Sequence, residues 1–184
     1  MSDCNQAILL DPKSGLAYHN RGLAYENLKE YDKAMSDYSQ AIQLNPDDAF
    51  AYNNRGNIYS DRKEYDKALN DYSRAILLDS SYAVAYFNRG NADRDKRKRA
   101  EALSDYSQAI RLAPKFALAY VGRGNIYFDE KRYDKALNDY DQAIRLAPNL
   151  RLAYTNRGKL FEAEGKRQKA AADYAKAAKL NSIR

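Results

Sequence analysis

The chain repeats itself every 34 residues, and tyrosine marks the period most sharply. With units starting at residues 15, 49, 83, 117 and 151, repeat position 4 is Tyr18, Tyr52, Tyr86, Tyr120 and Tyr154, and position 24 is Tyr38, Tyr72, Tyr106, Tyr140 and Tyr174. Position 11 adds Tyr25, Tyr59 and Tyr127, and position 17 adds Tyr31, Tyr65 and Tyr133, so 16 of the 17 tyrosines occupy four positions and only Tyr82 stands outside. Gly22, Gly56, Gly90, Gly124 and Gly158 keep the same step, as do Pro12, Pro46, Pro114 and Pro148 with Ser80 in the vacant slot. Five units with no insertion, plus 14 leading residues, account for all 184. A period of this length means units that bury their apolar faces against neighbours rather than around one closed core.

Within a unit, positions 4, 7, 8 and 11 share one helical face, and positions 17, 20, 24, 27 and 28 form a second such stripe, as in Tyr65, Ala68, Tyr72, Ala75 and Ile76. Gly at position 8 and Ala at 20 and 27 leave room for two helices to approach. Pro at position 32 ends the second helix, because its ring and missing N–H cannot continue it. Only 11 residues are Val, Ile or Thr, too few for a sandwich or barrel. The 30% charged and 45% apolar fractions fit a folded helical chain. The longest apolar runs, such as Ala7-Ile8-Leu9-Leu10, span no membrane, and the N-terminus has no secretory h-region. A single cysteine excludes a disulfide framework, and the net charge of +6 favours acidic partners without naming one.

The pattern A-Y-x-N-R-G-N-x-Y followed by Y-D-K-A-L-x-D-Y-x-x-A-I-x-L-x-P, seen in residues 49–82, resembles the tetratricopeptide repeat (TPR) over the whole chain. The resemblance implies an all-α fold, a right-handed superhelical solenoid of antiparallel helix pairs. It would form one array over residues 1–184, with full repeats at 15–48, 49–82, 83–116, 117–150 and 151–184. Residues 1–14 match the second helix of a preceding unit, with Cys4 in place of the aromatic at position 24. The chain therefore starts in mid-repeat, as a piece of a longer array or an assembled scaffold would.

Catalytic chemistry finds little to work with. His19 is the only histidine, which excludes a histidine triad or a multi-histidine metal site within one chain; an ordinary surface or groove role is expected for it. Cys4 is expected to pack as a small hydrophobe, and glycines spaced by 34 make no phosphate loop. No enzyme, cofactor or metal is expected. Position 7 is Arg in every unit (Arg21, Arg55, Arg89, Arg123, Arg157), where the family usually has Leu, and position 23 is Asp at Asp3, Asp37, Asp71, Asp105, Asp139 and Asp173. The favoured reading is a repeated Arg–carboxylate contact between packed helices, in the same or an adjacent repeat. The competing one is a row of arginines offered to an anionic ligand.

Positions 2, 5, 6, 9 and 13 lie opposite the packing stripe of the first helix, the concave wall in the family's superhelix. Position 6 is Asn20, Asn54, Asn88, Gly122 and Asn156; position 9 includes Asn57, Asn91 and Asn125; position 13 includes Asp61, Asp95 and Asp129. Asparagine is a mediocre helix former, so its recurrence on one face reflects either duplication of a neutral residue or a ladder of amides for an extended peptide's backbone. The second reading resembles the asparagine ladder in the superhelical repeats of O-linked N-acetylglucosamine transferases. The family's two-lysine carboxylate clamp is absent, because position 5 is His19, Asn53, Phe87, Val121 and Thr155 and position 2 is Leu16, Phe50, Val84, Leu118 and Leu152. Phe87, Val121 and Phe128 are expected to form an apolar anchor beside the amides.

The expected function is a non-catalytic protein-interaction scaffold holding a peptide or protein segment in its groove. Nucleic acid is the less favoured partner: residues 94–99 and the last unit are basic, but acidic residues punctuate the rest and the tyrosines occupy packing positions. No membrane insertion is expected, a cytoplasmic location is the default, and the stripe of Cys4, Ala7, Ile8 and Leu10 is expected to give a weak homodimer through residues 1–14. The last unit, with Ala171 and Ala178 in place of Leu and Ile, should be a poor receiver of a further repeat. Unit 3, with Asp93 and Arg99 where units 1, 2 and 4 have tyrosine, should be the weakest.

Overall fold

A computed structural model describes residues 2–180, which form eleven helices and, among the described residues, no strand. They are α1 (Ser2–Leu10), α2 (Gly15–Asn27), α3 (Tyr31–Leu44), α4 (Ala49–Asp61), α5 (Tyr65–Leu78), α6 (Ala83–Asp95), α7 (Arg99–Leu112), α8 (Ala117–Asp129), α9 (Tyr133–Leu146), α10 (Arg151–Ala163) and α11 (Arg167–Lys179). The chain divides into two compact units, residues 1–92 and 93–184, with the division inside α6. The first unit has 10 Lys and Arg against 13 Asp and Glu, a net −3; the second has 21 against 12, a net +9.

Each first helix breaks at repeat position 15. There Lys29, Lys63, Arg97 and Lys131 adopt φ between 59° and 62°, and Gly165 takes φ 75°. The left-handed region costs a side-chain-bearing residue about 1–2 kcal/mol, so the four basic turns hold strain that Gly165 avoids. The first helices of units start on caps where the sequence supplies them: Asp48 accepts from the Ala51 N–H at 2.9 Å, and Ser14 from Ala17 at 3.4 Å.

Packing inside a repeat is set by position 24 against position 8. Tyr38, Tyr72 and Tyr140 are at most 2% exposed, and a Cβ built at Gly22, Gly56 or Gly124 would lie 2.7–2.8 Å from their rings. No larger residue fits there without moving a tyrosine. Gly122 has the same cause at another position: its Cβ would meet the Tyr106 ring at 2.8 Å, so the asparagine of the other repeats has no room. Packing between repeats uses positions 21 and 28. In the first unit Met35 packs with Ile58, Leu69 with Ala92, and Ile76 with Ala85. In the second, Leu137 and Ile144 pack into the cluster that contains Ala153 and Leu160. Ala171 is exposed.

The arginine of position 7 pairs within its own repeat. Arg21, Arg55, Arg123 and Arg157 each donate from Nε and Nη2 to the two carboxylate oxygens of Asp37, Asp71, Asp139 and Asp173, at 2.7–2.9 Å. The third nitrogen, Nη1, reaches back to position 25 of the preceding repeat: Asn5 at 3.0 Å, Ser39 at 3.3 Å, Ser73 (from Arg89) at 3.1 Å, Ser107 at 3.4 Å and Asp141 at 2.6 Å. Hydrogen bonds to the aspartates hold the Arg21, Arg55, Arg123 and Arg157 guanidinium groups above their usual pKa, against the opposing effect of burial. One side chain thus ties two helices of one repeat to the second helix of the repeat before.

Candidate functional site

At 100° per residue, positions 2, 6, 9 and 13 of a first helix fall within an arc of about 60°, opposite the packing stripe. Along α2, α4, α6 and α8 this wall is graded, apolar at its start, amide in its middle and acidic or polar at its end, whereas α10 ends on Ala163. The position 2 side chains are well exposed: Leu16 69%, Phe50 55% and Val84 41% in the first unit, Leu118 38% and Leu152 46% in the second. Phe50 is braced by Tyr82, the tyrosine outside the period, with ring centroids 4.9 Å apart. Burial, with the charges of Asp79 and Asp48, pushes the Tyr82 phenol up to about 12.

The amides are engaged with one another. In the first unit Asn88 donates to Asn57 Oδ1 and Asn53 Oδ1, both at 3.0 Å, while the Tyr72 hydroxyl donates to the same Asn57 oxygen at 2.9 Å. In the second unit Asn156 donates to Asn125 Oδ1 at 2.8 Å, and Tyr140 donates to it at 2.9 Å. Position 6 of one repeat is therefore bonded to position 9 of the repeat before, through an oxygen that also takes the buried tyrosine. Where position 9 is not Asn, a glutamate at position 12 takes the hydroxyl: Tyr38 donates to Glu26 at 2.7 Å and Tyr174 to Glu162 at 2.9 Å. Burial keeps the Tyr38, Tyr72 and Tyr140 phenols well above their usual range, so they remain donors.

The expected site residues divide accordingly. Asn20, Asp61, Asp95 and Asp129 are exposed; Asn54, Asn88, Asn156, Asn57, Asn91, Asn125, Phe87 and Phe128 are half-buried. Of the position 6 amides, Asn20 alone is exposed. Val121 is 1% exposed and belongs to the core cluster, so it lies beneath the wall and offers no anchor; position 5 faces the neighbouring helix. Position 5 also buries Asn53 at 2% and His19 at 8%. His19 is thus no surface residue: its Nδ1 lies 2.7 Å from Asp48 Oδ2, and its ring meets Tyr38 edge-on. Two residues the sequence reading passed over line the wall, Glu26 and Ser60 at position 12. They surround a cleft of about 340 Å3 with Asn57, Asp61, Tyr72, Asn88 and Asn91. In the second unit a cleft of about 280 Å3 is lined by Arg94, Asn125, Phe128, Asp129, Tyr140, Asn156 and Lys159.

Tetratricopeptide repeat profiles match residues 15–48, 49–82 and 152–183, and a TPR repeat profile matches 90–129 and 124–165. The chain belongs to the tetratricopeptide repeat family. No curated protein matches it. Among solved structures, this TPR chain is similar to a MamA protein, with 24% identity over 92% of both chains and a TM-score of 0.76. It is similar to YrrB, described as a TPR protein with an unusual peptide-binding site, with 21% identity over 98% of this chain and 93% of that one and a TM-score of 0.75. It also resembles PilF of Pseudomonas aeruginosa, with 20% identity, coverage of 92% and 78%, and a TM-score of 0.82. These likenesses fix the fold as the all-α TPR solenoid of antiparallel helix pairs. No described helix is long and apolar enough to cross a membrane.

Proposed function

We propose that this TPR chain is a non-catalytic interaction scaffold whose first-helix walls bind an extended peptide or protein segment. The observation that carries the reading is the position 2 row. All five first helices present a large apolar side chain to solvent at the same register, 38–69% exposed, on the face that bears the amides. Scattered exposed leucines are ordinary, but an apolar residue at one register of every repeat is the pattern of a contact surface. The YrrB likeness is consistent with this, although it concerns another protein's site. The amides contribute less directly than an open ladder would, since Asn57, Asn88, Asn125 and Asn156 already bond to one another.

The test separates contact from folding. Phe50→Ser with Leu118→Ser removes two exposed apolar side chains and should leave the fold intact, lowering the melting temperature by no more than about 6 °C for the lost Phe50–Tyr82 contact and the partly covered Leu118. Affinity for linear peptides selected from a random 12-residue display library should fall at least tenfold. Selected peptides that bind the double variant as tightly as the parent would remove the wall from the function.

A second reading rests on the +9 of residues 93–184. At the wall of that unit Arg94 and Lys159 are set against Asp95, Asp129 and Glu162, so the cationic excess lies on the turns and second helices. A polyanion would bind there, off the groove, and its affinity for a 20-nucleotide single strand would collapse between 50 and 300 mM salt.

A further inference from the structure

The wall of residues 1–92 is apolar and anionic at once, and it contains no compensating cation. Its ionised groups at positions 2, 5, 6, 9, 12 and 13 of α2 and α4, and at 2, 5, 6 and 9 of α6, are Glu26 and Asp61 alone; no Lys or Arg occurs at any of them. The arginines of the same helices, Arg21 and Arg55, point the other way and are bound by Asp37 and Asp71. Glu26 and Asp61 line the same cleft of about 340 Å3, together with Ser60 and the amides of Asn57, Asn88 and Asn91. Glu26 accepts the Tyr38 hydroxyl through Oε2, and Asp61 is exposed. At the opposite end of the same helices stand Leu16, Phe50 and Val84, with Phe50 held in place by Tyr82. Positions 2 and 13 are eleven residues apart, roughly 16 Å along a helix at 1.5 Å per residue.

We infer that this wall selects an extended segment carrying lysine or arginine beside apolar side chains, the basic group entering the Glu26–Asp61 cleft and the apolar groups lying on Leu16, Phe50 and Val84. The inference rests on the peptide-binding reading above and names its ligand chemistry. The geometry sets the arrangement. An ammonium or guanidinium stem of four carbons or fewer reaches across part of the roughly 16 Å width while its apolar neighbours stay on the rail. The net −3 of the unit adds attraction at longer range. A glutamate-bearing segment would meet two carboxylates with no cation at the wall to receive it.

Three fluorescein-labelled 12-residue peptides test this on the full chain: one alternating lysine and leucine with serine spacers, a second with glutamate for lysine, a third with serine for leucine. Fluorescence anisotropy should show the lysine–leucine peptide binding at least tenfold tighter than either control at 100 mM salt. Asp61→Lys changes an exposed side chain and should bring the lysine–leucine and glutamate–leucine affinities within about threefold; Glu26→Gln, which keeps an acceptor for Tyr38, should lower the preference by a smaller factor. Equal affinity for lysine and glutamate peptides, both weakened by Phe50→Ser, would overturn the charge selection and leave the apolar wall as the binding surface. A lysine preference that Asp61→Lys and Glu26→Gln leave unchanged would overturn the placement of the cation. Failure of all three peptides to bind, while library-selected peptides do bind and are lost in the Phe50→Ser, Leu118→Ser variant, would overturn the inference and spare the reading it rests on.

Discussion

Arg55 donates two hydrogen bonds to Asp71, a third to Ser39, and lies 5.7 Å and 5.9 Å from the ring centroids of Tyr52 and Tyr59. Its charge is fully used within the array, which decides against a row of arginines waiting for an anion. Removing Asp71, 2% exposed, would leave a half-buried guanidinium without its fork, a loss of about 1–3 kcal/mol. His19 shows the same economy at a single site. It sits under the first unit's wall and meets Asp48, which also caps α4. Burial alone would raise the Asp48 pKa, but the hydrogen bonds from His19 and from the Ala51 and Phe50 N–H groups outweigh it and hold the carboxyl below its usual value. A depressed carboxylate contributes stability that is present above the unfolded pKa of about 4 and is lost as pH falls through the lower folded value. Urea unfolding should therefore show the parent losing more stability than Asp48→Asn as the pH falls from about 5 to about 2.5. Parallel pH profiles for the two proteins would show that the His19–Asp48 contact carries no linkage.

The helix pair was legible in the sequence because its rules are steric and recur: tyrosine at 24 forces glycine at 8, and alanine at 20 and 27 permits close packing. The wall was legible only in position. Nothing in an isolated repeat shows that Asn88 and Asn156 reach the repeat before them, since the partner oxygen lies 31 residues away. One signal was available. Position 12 is glutamate in the two units whose position 9 is Leu23 or Lys159, so the two positions exchange the task of receiving the tyrosine hydroxyl. Replacing a position 6 amide therefore costs stability where that amide is engaged and little where it is exposed. Asn88→Ala removes two hydrogen bonds and should cost about 1–2 kcal/mol in urea unfolding, whereas Asn20→Ala, exposed, should stay within about 0.5 kcal/mol of the parent. If both substitutions cost the same, the amide contacts do not couple neighbouring repeats.

In a stack of repeats, stability is close to a sum of unit terms and nearest-neighbour terms, so a weak unit shows itself locally. The division of the chain into residues 1–92 and 93–184 falls inside α6, in the repeat where the tyrosines of positions 11 and 17 are replaced by Asp93 and Arg99. Asp93 is 6% exposed, with Lys98 Nζ at 3.8 Å, and Arg99 is exposed. The other units bury part of an aromatic ring at position 11: Tyr25, Tyr59 and Tyr127 lie under Lys33, Lys67 and Lys135, and Phe161 under Lys169. A buried aromatic contributes roughly 1.5–3 kcal/mol, and a partly exposed ion pair about 0–1 kcal/mol, so the third unit starts with a deficit. Amide exchange should be fastest, away from the chain ends, over residues 90–101. Thermal unfolding should resolve two transitions or one broadened by partial decoupling of the two units. Asp93→Tyr with Arg99→Tyr should slow exchange in that segment and raise the midpoint, at about 2–4 °C per kcal/mol for a chain of this size. Even protection across all five repeats, or a double variant that melts with the parent, would show that the lost tyrosines are compensated within the third unit.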